Sequence, residues 1–143
     1  MKNLLLLSGS LRIESWNKRL LEHLSSCQAL EKHQINWLTA PELAWPLFNE
    51  DLEKDPSIQA QVMQASNRLL MADGLVIASP EYNGMVSPFL KNVVDWCSRM
   101  PHLHAGLANP FLDKPVLLCA ASTGGSGGVT GLASARSLLA YLG

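Results

Sequence analysis

Residues 75–88 read Leu75-Val76-Ile77-Ala78-Ser79-Pro80-Glu81-Tyr82-Asn83-Gly84-Met85-Val86-Ser87-Pro88. A short unbroken apolar run gives way to serine and proline, then to an acidic, aromatic and glycine-bearing stretch, and ends on a serine-proline pair. An apolar run without polar alternation is a strand buried on both faces, as parallel strands covered by helices are. Ser87-Pro88 provides a helix N-cap and a proline at the first helical position, so a helix follows through about Arg99. Upstream, Asp55-Pro56 starts a helix in the same way; it turns Ile58, Val62, Ala65 and Leu69 inward and stops at Asp73-Gly74. The quoted stretch is therefore the centre of an alternating helix, strand, helix order.

The same grammar runs outward. Leu4 to Leu7 and Val116 to Ala121 are apolar runs of the same kind, while Ile35-Asn36-Trp37-Leu38 alternates and reads as a strand nearer an edge. A first helix runs from about Asn17 to Lys32 with Leu20, Leu21 and Leu24 on one face, and a fourth from near Thr130 to Leu142. Four strands alternating with four helices predict one doubly wound α/β domain over residues 1–143. Pro41 to Pro56, with Trp45, Pro46 and Phe48, is expected to fold over the sheet. With Gly143 ending the chain after the fourth helix, Val116 to Ala121 is left as an apolar sheet edge. Either a partner chain covers that edge, or the sequence is shorter than the fold it came from.

Composition narrows the function. Of 143 residues 48% are hydrophobic and 16% charged, which suits a packed core and not disorder. Eleven basic against twelve acidic side chains leave a net charge of -1. That gives no basic stripe for nucleic acid and no acidic face for a small docking electron carrier. Cys27, Cys97 and Cys119 form no close pair, so neither a disulfide frame nor a zinc site is expected; Cys97 and Cys119 read as small core residues. His102-x-His104 has no carboxylate or cysteine at ligand spacing and reads as loop histidines, and no metal is expected. Lys91 and Asp95, four apart, read as an exposed helix pair. The apolar run after Met1 is too short for a signal peptide and none spans a membrane, so a reduced cytoplasm is the expected compartment.

In an open parallel sheet, ligands bind outside the carboxyl ends of the strands. Three loops leave such ends. Ser8 to Asn17 offers serine hydroxyls, Arg12, an asparagine amide and the free N–H groups of a helix start, which are the parts of an anion site. The same residues also suit an ordinary capped helix start with a solvent-facing Arg12. No glycine-lysine pair occurs, which excludes a Walker A site. In Ser79 to Pro88, the Pro80-x-x-x-Gly84 spacing fixes a loop and Tyr82 presents a flat face to a ring; a tight surface turn reads equally well. Ser122 to Gly131 carries five glycines that admit a ligand close to the backbone, or serve only as a flexible connection. It is not a dinucleotide fingerprint, because Thr130 stands where the third glycine is needed and no acidic ribose partner can follow.

Together these loops resemble the NADPH-dependent FMN reductase family of flavodoxin-like proteins, which includes quinone, chromate and azo-dye reductases. The resemblance rests on Gly9-Ser10-Leu11-Arg12 with Ser15 and Asn17, on Pro46-Leu47-Phe48-Asn49-Glu50-Asp51-Leu52, and on Ala72 to Gly84. Leu90-Lys91-Asn92-Val93-Val94-Asp95-Trp96, Lys114-Pro115-Val116 and the glycine loop extend it over nearly the whole chain. Its specific core is S-P-E-Y-N-G followed by L-K-N-x-x-D-W. The resemblance implies a flavodoxin-like FMN-binding domain lacking that fold's last strand and helix. Ser10, Arg12, Ser15 and Asn17 would hold the FMN phosphate, with Trp16 beside them. Pro80, Glu81, Tyr82, Asn83 and Gly84 would line the ribityl chain and ring, and Ser122, Gly124 and Gly125 would border the ring. It further implies NADPH or NADH as co-substrate, no catalytic side chain beyond the flavin, a small quinone-like, flavin or other acceptor, and a homodimer or homotetramer. Met85 and Val86 depart from the small or branched residues common after Tyr-Asn-Gly. A flavin-binding electron carrier and a non-catalytic truncated remnant are the alternative readings.

Overall fold

The computed structural model describes residues 1–143. Its strands are β1 (Asn3–Ser8), β2 (Gln34–Leu38), β3 (Gly74–Ala78), β4 (Glu81–Tyr82), β5 (Met85–Val86) and β6 (Val116–Cys119). The helices are α1 (Trp16–Ser25), α2 (Pro56–Met71), α3 (Pro88–Leu103) and α4 (Val129–Leu142). Four strands form a parallel sheet in the order β2-β1-β3-β6, and β4 pairs with β5 as a separate antiparallel hairpin. Connections leave β1 toward β2 and β3 toward β6, so the order reverses between β1 and β3. In such sheets that reversal opens the ligand crevice.

Successive side chains of a strand point to opposite faces, and the core divides accordingly. Leu5, Leu7, Leu75 and Ile77 pack with Val62 and Leu69 of α2 and with Leu90, Val93 and Trp96 of α3. Leu6, Val76 and Ala78 pack with Leu21 of α1 on the other face. Asp55 caps α2 by accepting from the Ser57 N–H at 2.8 Å, with Pro56 first in the helix, and Ser87 caps α3 with Pro88 next.

Several boundaries differ from the sequence expectation. α1 stops at Ser25 and not near Lys32: the Ser25 and Ser26 hydroxyls donate to the carbonyls of Glu22 and His23, competing with helix continuation. Residues Gln28–Leu30 form a short 3-10 turn instead. α3 runs on to Leu103, which places His102 in its last turn and His104 at its cap, so these are not loop histidines. β6 ends at Cys119 and is not covered on both faces; Leu117 is 55% exposed and Cys119 only half-buried, because β6 stands at the sheet edge.

The 41–56 connection does fold against the core. Leu43 and Trp45 are buried, and the Asn92 side chain accepts from the Phe48 N–H at 2.7 Å while donating to the Pro46 carbonyl at 3.1 Å. The Glu53 carboxylate, 8% exposed, receives Arg99 Nε at 2.6 Å and so ties this connection to α3. Lys91 pairs with Asp95 on the surface of α3, as its spacing predicts. Cys97 is fully buried, and burial pushes its thiol up to about 12. It should therefore resist alkylation at pH 8 in the native protein and react only as the chain unfolds. Mass spectrometry after timed exposure to iodoacetamide checks this; native-state labelling of Cys97 at a free-thiol rate would contradict it.

Candidate functional site

The loops after β1, β3 and β6 meet at the carboxyl edge of the sheet, around the β1/β3 reversal. In the first, Gly9 and Ser10 are buried against the second: the Gly9 N–H donates to the Ala78 carbonyl at 2.7 Å, and the Ser87 hydroxyl donates to the Gly9 carbonyl at 2.5 Å. A Cβ on Gly9 would lie 3.0 Å from Ser79 Oγ and 3.2 Å from Leu90 Cβ, so this approach needs glycine.

Beyond Gly9 the loop is a set of unmet donors. Backbone N–H groups of Ile13, Glu14 and Ser15 donate to nothing in the protein. Ser10 Oγ accepts from the Arg12 N–H at 3.2 Å, and Ser15 Oγ caps α1 by accepting from the Lys18 N–H at 3.2 Å. Both hydroxyl hydrogens remain available to a ligand. Of the loop's cations, Arg19 pairs with Glu14 and lies over Trp16, and Lys18 pairs with Glu22, whereas the Arg12 guanidinium has no partner. Free amides, free hydroxyls, an unpaired guanidinium and the positive end of α1 form an anion cradle and match a phosphate.

The second loop is the β4/β5 hairpin. Asn83 and Gly84 form its turn at φ 52° and 75°, the doubly positive pair that type I′ hairpins require. Tyr82 is half-exposed and Pro80 half-buried. In the third loop, residues 122–127 are exposed, and the Gly124 N–H turns back onto Ser122 Oγ at 3.0 Å.

Two of the expected ligands also join the loops to one another. Asn17, 3% exposed, accepts from the Ala121 N–H at 2.9 Å and donates to the Ala121 carbonyl at 3.1 Å. Its amide behaves like one more strand residue beside the end of β6, joining the first loop to the third, and its second Nδ2 hydrogen makes no bond within the protein. Glu81 Oε2 accepts from the Gly131 N–H at 2.8 Å, so its carboxylate faces α4. Trp16 lies at the start of α1, 48% exposed. Sequence reasoning overlooked Ser87 and Ser134 as loop-binding groups; a serine at a helix cap and one inside a helix carry no signal of long-range partners.

A cavity of about 570 Å³ opens on the other flank of the first loop, toward residues 37–44. It shares Ser10 and Arg12 with the cradle, but its further walls are apolar groups such as Leu11, Trp37 and Pro41, and neither the hairpin nor the glycine loop reaches it. The three loops converge instead at the β1/β3 reversal, where hydrogen bonds join them to one another.

Residues 2–143 match the family described as NADPH-dependent FMN reductase. The chain is 35% identical over 137 residues to a quinone reductase of Escherichia coli (strain K12), an alignment covering 95% of this chain and 68% of that protein. It is 36% identical over 124 residues to an NADPH:quinone oxidoreductase of Arabidopsis thaliana, covering 85% of this chain and 59% of the relative. Among solved structures, the flavoenzyme NAD(P)H:(acceptor) oxidoreductase FerB of Paracoccus denitrificans superposes with a TM-score of 0.83 at 26% identity, over 100% of this chain and 73% of that one. The parallel sheet, the anion cradle after β1 and a match across nearly every residue agree: the chain belongs to the NADPH-dependent FMN reductase family.

Proposed function

We propose that the protein is an FMN-dependent NAD(P)H oxidoreductase that reduces small acceptors such as quinones, with residues 1–143 forming its FMN-binding domain. The anion cradle at the mouth of the β1/β3 crevice is the observation that carries this reading. Ser10, Arg12, Ser15 and the amides of 13–15 would hold the phosphate. The backbone of 80–84 and the Tyr82 ring would line the ribityl chain and flavin ring, with Ser122, Gly124 and Gly125 at the ring's far border. Bound FMN supplies the hydride-accepting and electron-releasing chemistry. The protein's part is to bind, orient and leave one ring face open, and the exposure of Tyr82 and of residues 122–127 suits that openness. Nicotinamide and acceptor would then use the open face in turn.

A net charge of -1 gives no overall field to steer docking, which weighs against an electron carrier. Three unpaired cysteines suit a reducing cytoplasm, and the family resemblance supports a homodimer or homotetramer. No helix is long and apolar enough to cross a membrane.

The test is the visible spectrum of protein incubated with FMN and desalted, followed by anaerobic addition of NADPH or NADH. Retained flavin absorbance that bleaches rapidly is expected. Colourless protein would overturn the flavin site, and retained flavin that neither NADPH nor NADH reduces would overturn the reductase.

A further inference from the structure

α4 begins without a cap of its own. Gly128 holds the N-cap position in the left-handed region at φ 83°, and no side chain there accepts from the first turn. Helix starts leave such N–H groups orphaned. Here the missing acceptor comes from another loop: Glu81 Oε2 accepts from the Gly131 N–H at 2.8 Å, and a carboxylate at a helix N-terminus also meets the positive end of the helix dipole. The approach leaves no slack, since a Cβ on Gly131 would lie 2.9 Å from Glu81 Cβ and 3.1 Å from its Cγ. One turn on, the Ser134 hydroxyl oxygen accepts from the Val86 N–H at 2.6 Å and donates to the Gly131 carbonyl at 2.9 Å. Both strands of the hairpin are thereby fastened to one turn of α4.

We infer that Glu81 is a positioning residue: it caps α4 from across the crevice and so locks the 81–86 hairpin to the glycine loop that leads into that helix. The inference rests on the flavin reading for what the lock serves, and on hydrogen bonding alone for the lock itself. Asn17 joins the first loop to the third and Ser87 joins the first to the second. Glu81 with Ser134 closes the remaining side, so the three loops brace one another before any ligand arrives. Preorganisation of this kind lowers the ordering cost of binding.

The test compares Glu81→Gln, Glu81→Ala and Gly131→Ala by amide hydrogen exchange of residues 130–132 in flavin-free protein and by FMN titration. Glutamine still offers an oxygen to the Gly131 N–H. Glu81→Ala should speed that exchange and weaken FMN binding, each by about tenfold, the effect of losing one hydrogen bond to a charged group. Gly131→Ala, which displaces Glu81 sterically, should do the same, whereas Glu81→Gln should stay within about threefold of the parent because a neutral bond is weaker but present. Gly131→Ala also decides the matter if Glu81→Ala does not fold. Glutamine as damaging as alanine would overturn the inference in favour of a direct charge role, and so would unchanged exchange in the alanine variants. If the parent protein binds no FMN, the flavin reading falls, and the exchange data alone uphold or overturn the brace.

Discussion

Arg12→Ala should weaken FMN binding by about 1.5–3 kcal/mol, the worth of a hydrogen bond to a charged group, with little effect on folding. The reason is particular to this loop. Arg19 is spent on Glu14 and the Trp16 ring, and Lys18 on Glu22, so Arg12 is the cation left free beside the unmet amides of residues 13–15. An exposed side chain that pairs with nothing in the protein leaves no broken contact when it is truncated, so the melting temperature of flavin-free protein should hardly move. Riboflavin has the same ring and ribityl chain but no phosphate, and its affinity should be untouched. Fluorescence titration of both flavins separates the cases. Unchanged FMN affinity, or an equal loss for riboflavin, would remove Arg12 from the phosphate. Arg12→Lys should recover only part of the loss, because an ammonium keeps the charge without the planar fork of donors.

How far this crevice was legible depended on the range of the interaction. Local rules worked: Asp55-Pro56 and Ser87-Pro88 mark the starts of α2 and α3, and the unbroken runs Leu4 to Leu7 and Leu75 to Ala78 mark the central strands. The alternation at Ile35 to Leu38 rightly points to an edge. The Asn83-Gly84 pair carries a hairpin signal, yet strands of two residues each lie below any periodicity. The extra length assigned to α1 fails because Ser25 and Ser26 offer the backbone a competing partner, a matter of individual hydroxyls and not of pattern.

Long-range pairings leave no local trace. Asn17 meets Ala121 across 104 positions, and Glu81 meets Gly131 across 50. In a motif, an asparagine and a glutamate beside a ligand loop look like ligands. Only the folded chain shows that they hold the loops together. In the proposed site, backbone groups, Ser10, Ser15 and Arg12 are the groups with donors left free for a ligand. Motif positions divide into those that would bind and those that brace.

The fold bears the same dependence on one buried group, and Trp96→Ala should cost about 3–5 kcal/mol of stability, the range for large aromatic truncations in cores. Trp96 is 1% exposed, meets the Phe48 ring edge-on at 5.0 Å between centroids, and donates its Nε1–H to the Pro46 carbonyl at 2.9 Å. Removing it opens a cavity between α3 and the 41–56 connection at one stroke. The Pro46 carbonyl keeps its bond from Asn92 at 3.1 Å, so it is not orphaned, and the loss is chiefly one of packing. Trp96→Phe isolates the hydrogen bond: it retains most of the apolar contact and should cost only about 0.5–1.5 kcal/mol for the bond, with a smaller term for the lost ring volume. Urea unfolding of the two variants at equal ionic strength gives both numbers. Against a total of about 5–15 kcal/mol for a domain, the alanine variant should unfold at a far lower urea concentration with little change in slope. A loss below about 1 kcal/mol would mean that the connection is held instead by Asn92 and the Arg99–Glu53 pair, polar contacts whose net worth is usually of that order.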